Sequence, residues 1–311
     1  MKSLLRKIVP LELRKIIHAV RSMPELRKEI ADLKSELLYY KVLHYHEYNP
    51  STEYESELSY LKQHGTITPF PYRQLKPLAT VETGFDDKKQ LPYVMHAEKK
   101  LFFPAAWSAE GAKHMYANYI STENILGGGY SEKAPHQYLT ENFVVKQNDI
   151  VIDVGAAEGL FLLDVIDRVK KAYIFEPDPG WLTTLKATFE PYMHKVTIIE
   201  KYATNRNSAT EATLDSCIED DADSIFIKMD VEGYEQQVLG GAQKLLTQKQ
   251  DVRVACCTYH RNDDAQTFKK FFEQQGFQTE FSDGYMLFPY DDQIKPPYFR
   301  KGIIRAYKAK K

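Results

Sequence analysis

One heptapeptide constrains this chain more than any other segment: Asp153-Val154-Gly155-Ala156-Ala157-Glu158-Gly159, which follows the apolar run Ile150-Val151-Ile152. An apolar strand that runs into a glycine-bearing turn and then a helix opens a βαβ unit, and the glycines let backbone come close to a ligand. Roughly twenty residues later, Tyr173-Ile174-Phe175-Glu176 reads as the next strand, closed by a carboxylate suited to bind ribose hydroxyls. The two strand ends together predict a pocket for an adenosine-containing cofactor.

The spacing of the glycines narrows the cofactor. A dinucleotide fingerprint needs G-x-G-x-x-G so that backbone packs against a pyrophosphate at a helix N-terminus, but Ala157 and Leu160 occupy the second and third glycine positions. Glu158 adds a negative charge at the helix start, which favours the helix dipole and repels a phosphate. A cationic ligand is the better electrostatic match. S-adenosylmethionine (SAM), with a sulfonium and an ammonium group, suits a turn carrying Asp153 and Glu158 better than NAD does. An ordinary tight strand-to-helix turn would also account for the heptapeptide alone.

The chain of 311 residues is 43% hydrophobic and 27% charged, enough for one large domain with an appendage or for two modest domains. Its net charge of -2 conceals basic ends. Lys2, Arg6, Lys7, Arg14, Lys15 and Arg21 precede an acidic interior, and Arg300, Lys301, Arg305, Lys308, Lys310 and Lys311 follow it. Neither end alternates basic with aromatic residues, so no nucleic-acid partner is predicted. Cys217, Cys256 and Cys257 contain no CxxC pair, which predicts neither a zinc site nor a disulfide framework and makes a reducing, cytoplasmic compartment the default. No apolar run approaches the ~18 residues of a spanning helix, and the charged N-terminus does not read as a signal peptide.

Three regions follow from the pattern. Residues 1–48 form a basic, amphipathic helical extension. Within it, residues 1–22 place Leu4, Leu5, Ile8, Leu11, Ile16, Ile17 and Val20 among basic side chains, a candidate for weak peripheral contact with the inner membrane surface. From Pro24 onward Leu26, Ile30, Leu33 and Leu37 are spaced like heptads. The run is short, so packing against its own domain is favoured over a homodimer, which the spacing also admits. Residues 49–140 read as a linker and an aromatic cap. The proline-bearing stretch 45–95 suggests a loose cover, and Phe102, Phe103, Trp107, Tyr116, Tyr119, Gly127-Gly128-Gly129, Tyr130, His136 and Tyr138 suggest an acceptor-side lid, or a lid anchored to the core. Residues 141–311 alternate strand and helix as parallel crossovers. Phe277–Phe281 and Tyr285–Phe288 flank Ser282-Asp283-Gly284 and predict a closing antiparallel hairpin. The fold class expected is α/β: a doubly wound, mostly parallel, Rossmann-like sheet of the class I methyltransferase kind.

A second motif, Ile227-Lys228-Met229-Asp230-Val231-Glu232-Gly233-Tyr234-Glu235, ends the fourth expected strand in carboxylates, and Gly240-Gly241-Ala242 lies just beyond. Ligands of open α/β sheets bind beyond the carboxyl ends of the strands at the topological switch, which sets Asp230 and Glu232 opposite Gly155 and Glu176. Glu232 and Glu235 also suit a solvated helix start. DVGAAEG (153–159), FEPDP (175–179), TLD (213–215), IKMDVEGYE (227–235) and GGA (240–242), in that order, resemble the FkbM family of SAM-dependent methyltransferases over residues 135–290.

The resemblance implies SAM as methyl donor and O-methylation of a hydroxyl on a sugar, polyketide or other metabolite. By position it implies that Asp153, Gly155, Ala156, Gly159 and Glu176 line the cofactor, with Ala203 beside adenine and Asp230 and Glu232 near the reacting end. The family commonly carries asparagine where this chain has Ala157. Methyl transfer to an alcohol is an in-line displacement that needs alignment, exclusion of water and a proton acceptor. Asp230 is the first candidate base and His260, at the end of strand 252–258, the second. His136 and Tyr138 are candidates for orienting a small-molecule or glycan acceptor. No metal is predicted, since Asp230 and Glu232 alone do not define a magnesium site. The competing readings are a noncatalytic SAM-binding or scaffold protein in a glycan-assembly complex and, less favoured, an NAD-dependent oxidoreductase.

Overall fold

The computed structural model describes residues 23–69, 81–117, 134–218 and 224–308. Residues 1–22 and the segment carrying Tyr119, the three glycines and Tyr130 lie outside the described residues. Helix α1 (Pro24–Tyr48) starts with its proline in the first turn, where a missing N–H leaves no hydrogen bond unmade. Helix α2 (Glu55–His64) follows.

The described part of the stretch expected to be a loose cover is instead structured. It holds α2 and most of a three-stranded antiparallel sheet of β1 (Thr83–Asp86), β2 (Leu91–His96) and β3 (Lys99–Phe102). Pro92 does not exclude β2, because it sits near the strand start and its carbonyl accepts from Phe103 N at 2.9 Å. Helix α3 (Ala109–Met115) is capped by Ser108, whose hydroxyl accepts from Gly111 N at 3.0 Å.

The large domain then alternates as the sequence predicts: β4 (Ile150–Val154), α4 (Leu160–Val165), β5 (Lys171–Phe175), α5 (Pro179–Phe189) and β6 (Val196–Ile199). The short strands β7 (Tyr202–Ala203) and β8 (Glu211–Ala212) pair with each other, and α6 (Leu214–Cys217) leads into β9 (Ser224–Met229). The helix expected over 233–247 is two, α7 (Glu235–Gly240) and α8 (Gln243–Gln248). The break falls at Gly241, where a β-carbon would stand 2.0 Å from the carbonyl oxygen of Thr204. Strand β10 (Asp251–Cys257), α9 (Asp264–Gln274), β11 (Gln278–Phe281) and β12 (Ile303–Lys308) complete the chain.

The seven-stranded sheet has the order β11-β12-β10-β9-β4-β5-β6. Strands β6, β5, β4, β9 and β10 run parallel, while β12 is antiparallel to both β10 and β11. Crossovers leave β4 in opposite directions, to β5 on one side and β9 on the other, which makes the β4–β9 boundary the topological switch. Strands buried on both faces read as continuous apolar runs. Cys256 and Cys257 fit this pattern, joining separate apolar clusters as reduced, buried residues.

The closing antiparallel pair is present, but its second strand is β12 and not Tyr285–Phe288. That segment forms a lone bridge between Met286 and Arg300. Leu287, Tyr298 and Phe299 instead pack with Leu38 and Val42 of α1 and Leu61 of α2. Burying these side chains against the helices removes apolar surface that extending the hairpin would leave exposed. The basic residues near the end are correspondingly not a solvated face: Arg300 and Arg305 are buried. Among the described residues, no helix is long and apolar enough to cross a membrane.

Candidate active site

In the parallel register Val154 of β4 faces Met229 of β9, so the chain leaves the sheet side by side at Gly155 and Asp230. Asp230 N donates to Val154 O at 3.0 Å and ties the two exits together. A cleft of about 390 Å³ opens above this point. Gly155, Ala156, Ala157 and Glu158 form one wall, and Lys228, Asp230 and Glu232 another. Tyr138, Phe161, Tyr259, His260, Phe288 and Tyr290 supply the ring-bearing remainder. Two non-glycine residues on these walls, Ala157 (φ 47°) and Glu232 (φ 52°), hold left-handed backbone. Such strain persists where the surroundings enforce it and clusters at functional sites. At Ala157 the enforcing group is Glu176, whose carboxylate accepts from Ala157 N and from Asp178 N, each at 2.9 Å.

Asp230 is the hub of the site. Tyr138 Oη donates to its Oδ2 at 3.1 Å, and Tyr259 Oη to its Oδ1 at 3.3 Å. His136 Nε2 lies 3.6 Å from Oδ2 and His260 Nε2 lies 3.4 Å from Oδ1. The other nitrogen of His260, Nδ1, is 2.9 Å from Oε1 of the fully buried Glu235, which also accepts from Val231 N at 3.0 Å. His260 thus sits between two carboxylates. Buried arginines brace the backbone behind these rings. Arg300 Nη1 donates to the carbonyls of Tyr259 and His260 at 2.7 and 2.9 Å, and Arg305 Nη2 to the carbonyl of Gln137 at 2.6 Å.

The charges follow from this packing. Burial alone would raise the Asp230 carboxyl, but the hydrogen bond from His136 and the charges of His260 and Lys228 outweigh it and hold Asp230 well below the usual carboxylate range. Burial likewise pulls His260 down, while its bond to Glu235 and the Asp230 charge more than compensate, leaving it above an ordinary histidine. Lys228 donates to the Gly155 carbonyl and lies 3.3 Å from Asp153 Oδ1, and Asp153 and Asp230 keep it charged despite burial. Burial pushes Glu158 up to about 7, against its backbone hydrogen bond and the Lys228 charge. Burial, then the Asp230 charge, drives Tyr138 far above its usual value, so it remains a phenol and a donor.

Of the residues singled out from sequence, Gly155, Ala156, Tyr138, Asp230, Glu232 and His260 meet at the cleft, and His136 stands directly behind Asp230. Asp153 lies beneath, paired with Lys228. Gly159 starts α4 against Leu185 and Phe189, Glu176 underpins the turn, and Ala203 is buried in the core; none of these three is on the cleft wall. Trp107 stacks on Phe103 at 5.6 Å and faces Trp181 at 6.0 Å, which makes it a core anchor. Lys228, Tyr259, Phe288 and Tyr290 were not anticipated. Lys228 had a sequence signal, a lone lysine inside an apolar strand, and Tyr259 stands directly before His260 beyond β10, but Phe288 and Tyr290 had none, since only the return of the 282–302 segment brings them there. Glu235, read as a solvated helix start, is instead the buried partner of His260. Two triplets share Asp230 with potential ligand atoms within 4.8 Å of one another, His136-Asp230-Cys257 and Asp230-Glu235-His260. In both, Asp230 already accepts hydrogen bonds or faces an imidazole.

The donor set suits a cationic adenosyl ligand. Glu158, Asp230 and Glu232 put three carboxylates on the wall against the single cation of Lys228. The strand order and the site at the switch define a class I methyltransferase fold. Residues 186–286 match the family model described as the methyltransferase FkbM domain. The match bears out the resemblance and SAM as methyl donor. The solved structures that align with part of the chain include a methyltransferase FkbM from Methylobacillus flagellatus KT at 19% identity and a TM-score of 0.45, over 56% of this chain and 47% of that one. The chain therefore spans about half the length of that protein. An rRNA methylase from Streptococcus thermophilus aligns at 14% identity and a TM-score of 0.37, over 54% and 90% of the two chains. A putative tRNA (m1A22) methyltransferase of Streptococcus pneumoniae, solved in complex with S-adenosyl-L-methionine, aligns at 15% and 0.35, over 53% and 68%. No curated protein matches the sequence.

Proposed function

We propose that this protein transfers the methyl group of SAM to a hydroxyl of a saccharide or other hydroxylated metabolite. The observation that carries the reading is the Asp230 carboxylate, held by two tyrosine hydroxyls and facing two histidines at the mouth of the switch-point cleft. SAM supplies an electrophilic methyl; the residues of this chain align the acceptor and take its proton. Gly155, Ala156 and Ala157 provide the close backbone, Glu158 and Glu232 the negative wall, and Glu176 holds the turn that shapes it.

Asp230, kept ionised, accepts the hydrogen bond of an incoming hydroxyl and orients its oxygen toward the methyl. Its depressed pKa makes it a reluctant proton acceptor, so the proton passes to the neighbouring His260 in its neutral form, whose raised pKa favours holding it. Glu235 at Nδ1 fixes the tautomer in which Nε2 faces Asp230. His136 and Tyr138 keep the carboxylate in place from the other side. The rim suits a ring-shaped acceptor, because Tyr290 is exposed and Phe288 packs against it at 5.3 Å, which offers apolar faces beside hydrogen-bonding groups.

The test is calorimetric titration with SAM and, in parallel, NAD, followed by methyl-transfer assays on a panel of glycans, polyols and an RNA oligonucleotide. SAM binding and product carrying a methyl ether support the reading. Transfer only to RNA would overturn the acceptor class, and SAM binding without turnover on any acceptor would favour a noncatalytic role.

A further inference from the structure

Helix α1 carries two apolar faces, and the fold uses one. Leu38 and Val42 are buried against the large domain, with Tyr39 and Tyr45 packed alongside. Among the described residues the other face is uncovered: Ile30, Leu33, Leu37 and Tyr40 are exposed by 39%, 58%, 55% and 59%, as is Met23, just before the helix, by 55%. Those five, with Leu26, fall on alternating three- and four-residue steps, which are the a and d positions of a heptad with a at Met23, Ile30 and Leu37. Leu38, Tyr39, Val42 and Tyr45 then occupy b, c and f, on the side away from the seam.

We infer that the exposed seam of α1 binds a second copy of this chain as a parallel two-stranded coiled coil. The flanking charges select that occupant. The e positions are Arg27, Lys34 and Lys41, and the g positions in the first two heptads are Glu29 and Glu36, all exposed. In a parallel pair, g meets e of the following heptad across the interface, which sets Glu29 against Lys34 and Glu36 against Lys41 of the partner. An antiparallel pair would set glutamates against glutamates and cations against cations. Ile30 at a with Leu26 and Leu33 at d favours two strands. Lys34 lies 3.3 Å from the exposed Asp292 of its own chain, a solvated contact that competes weakly. Because the domain covers only the b, c and f side, two copies join without displacing it.

The test is the solution mass of the full chain by light scattering and sedimentation. The wild type is expected to sediment at twice the chain mass, and Leu33→Glu/Leu37→Glu at the monomer mass with the large domain still folded. Orientation is read by charge reversal: Glu29→Lys/Glu36→Lys and Lys34→Glu/Lys41→Glu each set like charges across a parallel pair and are expected to sediment as monomers, whereas an antiparallel pair, in which like charges already face, is weakened by neither. A monomeric wild type, or a dimer that survives the paired Leu33 and Leu37 substitutions, would overturn the proposal. A dimer that the leucine changes dissociate but that survives both charge reversals would overturn the parallel arrangement.

Discussion

A β-carbon on Gly155 would stand 1.9 Å from the carbonyl oxygen of Asp230, which makes the two sequence motifs a single contact. Gly155 also has a φ of 75°, in the left-handed region. Gly155→Ala is expected to cost at least ~1–2 kcal/mol from backbone conformation alone, with the clash added. It should lower the melting temperature and weaken SAM binding together; a protein that melts and binds like wild type would contradict this contact.

Asp230→Asn keeps the shape and removes the charge. Turnover should fall by about 10²-fold, the scale for an acceptor held out of line, while SAM affinity changes far less. Single-turnover rates beside calorimetric affinities separate the two. Equal losses in both would mean that Asp230 serves the cofactor.

Glu235→Gln tests the charge behind His260. The imidazolium is stabilised by Glu235, so removing that anion lowers the His260 pKa. The neutral form then appears at lower pH, and the rising limb of the pH–rate profile shifts downward in pH. The sequence reads Glu235 as a solvated helix start, but it is buried against His260, and the shift should be correspondingly clear.

Glu158 gives binding its own pH dependence. Its carboxyl is raised from 4.5 to about 7 in the folded protein, so folding favours the protonated form. Stability from this group is greatest below about 4.5 and declines as pH rises toward about 7, whereas attraction for a cation grows over the same window. SAM affinity should therefore rise with pH through about 7, and Glu158→Gln should flatten that rise. A pH series of titrations on both proteins decides it.

The strands and their turns were legible because their causes are local. Apolar runs such as Ile150–Val154 and Ile225–Ile227 mark buried parallel strands, and Gly155 and Asp230 punctuate their ends. The parallel order of the main sheet follows from alternation of strand and helix. The same local pattern indicated where a cofactor meets the sheet, and charge at the turn indicated a cationic one. Periodicity could not say which of two apolar segments after β11 would pair with the sheet. Tyr285–Phe288 lost that role because α1 and α2 offered apolar surface to cover, and this long-range packing brought Phe288 and Tyr290 to the cleft. Nor could it reveal that Arg300 and Arg305, which read as part of a basic tail, hold the backbone behind the tyrosines, or that Glu235 is buried against His260. The sequence by itself determined the sheet and the end at which its site lies, since those depend on neighbours along the chain. Tertiary structure alone decided the ring of partners around Asp230, because residues from Tyr138 to Arg300 become neighbours only once the sheet has closed.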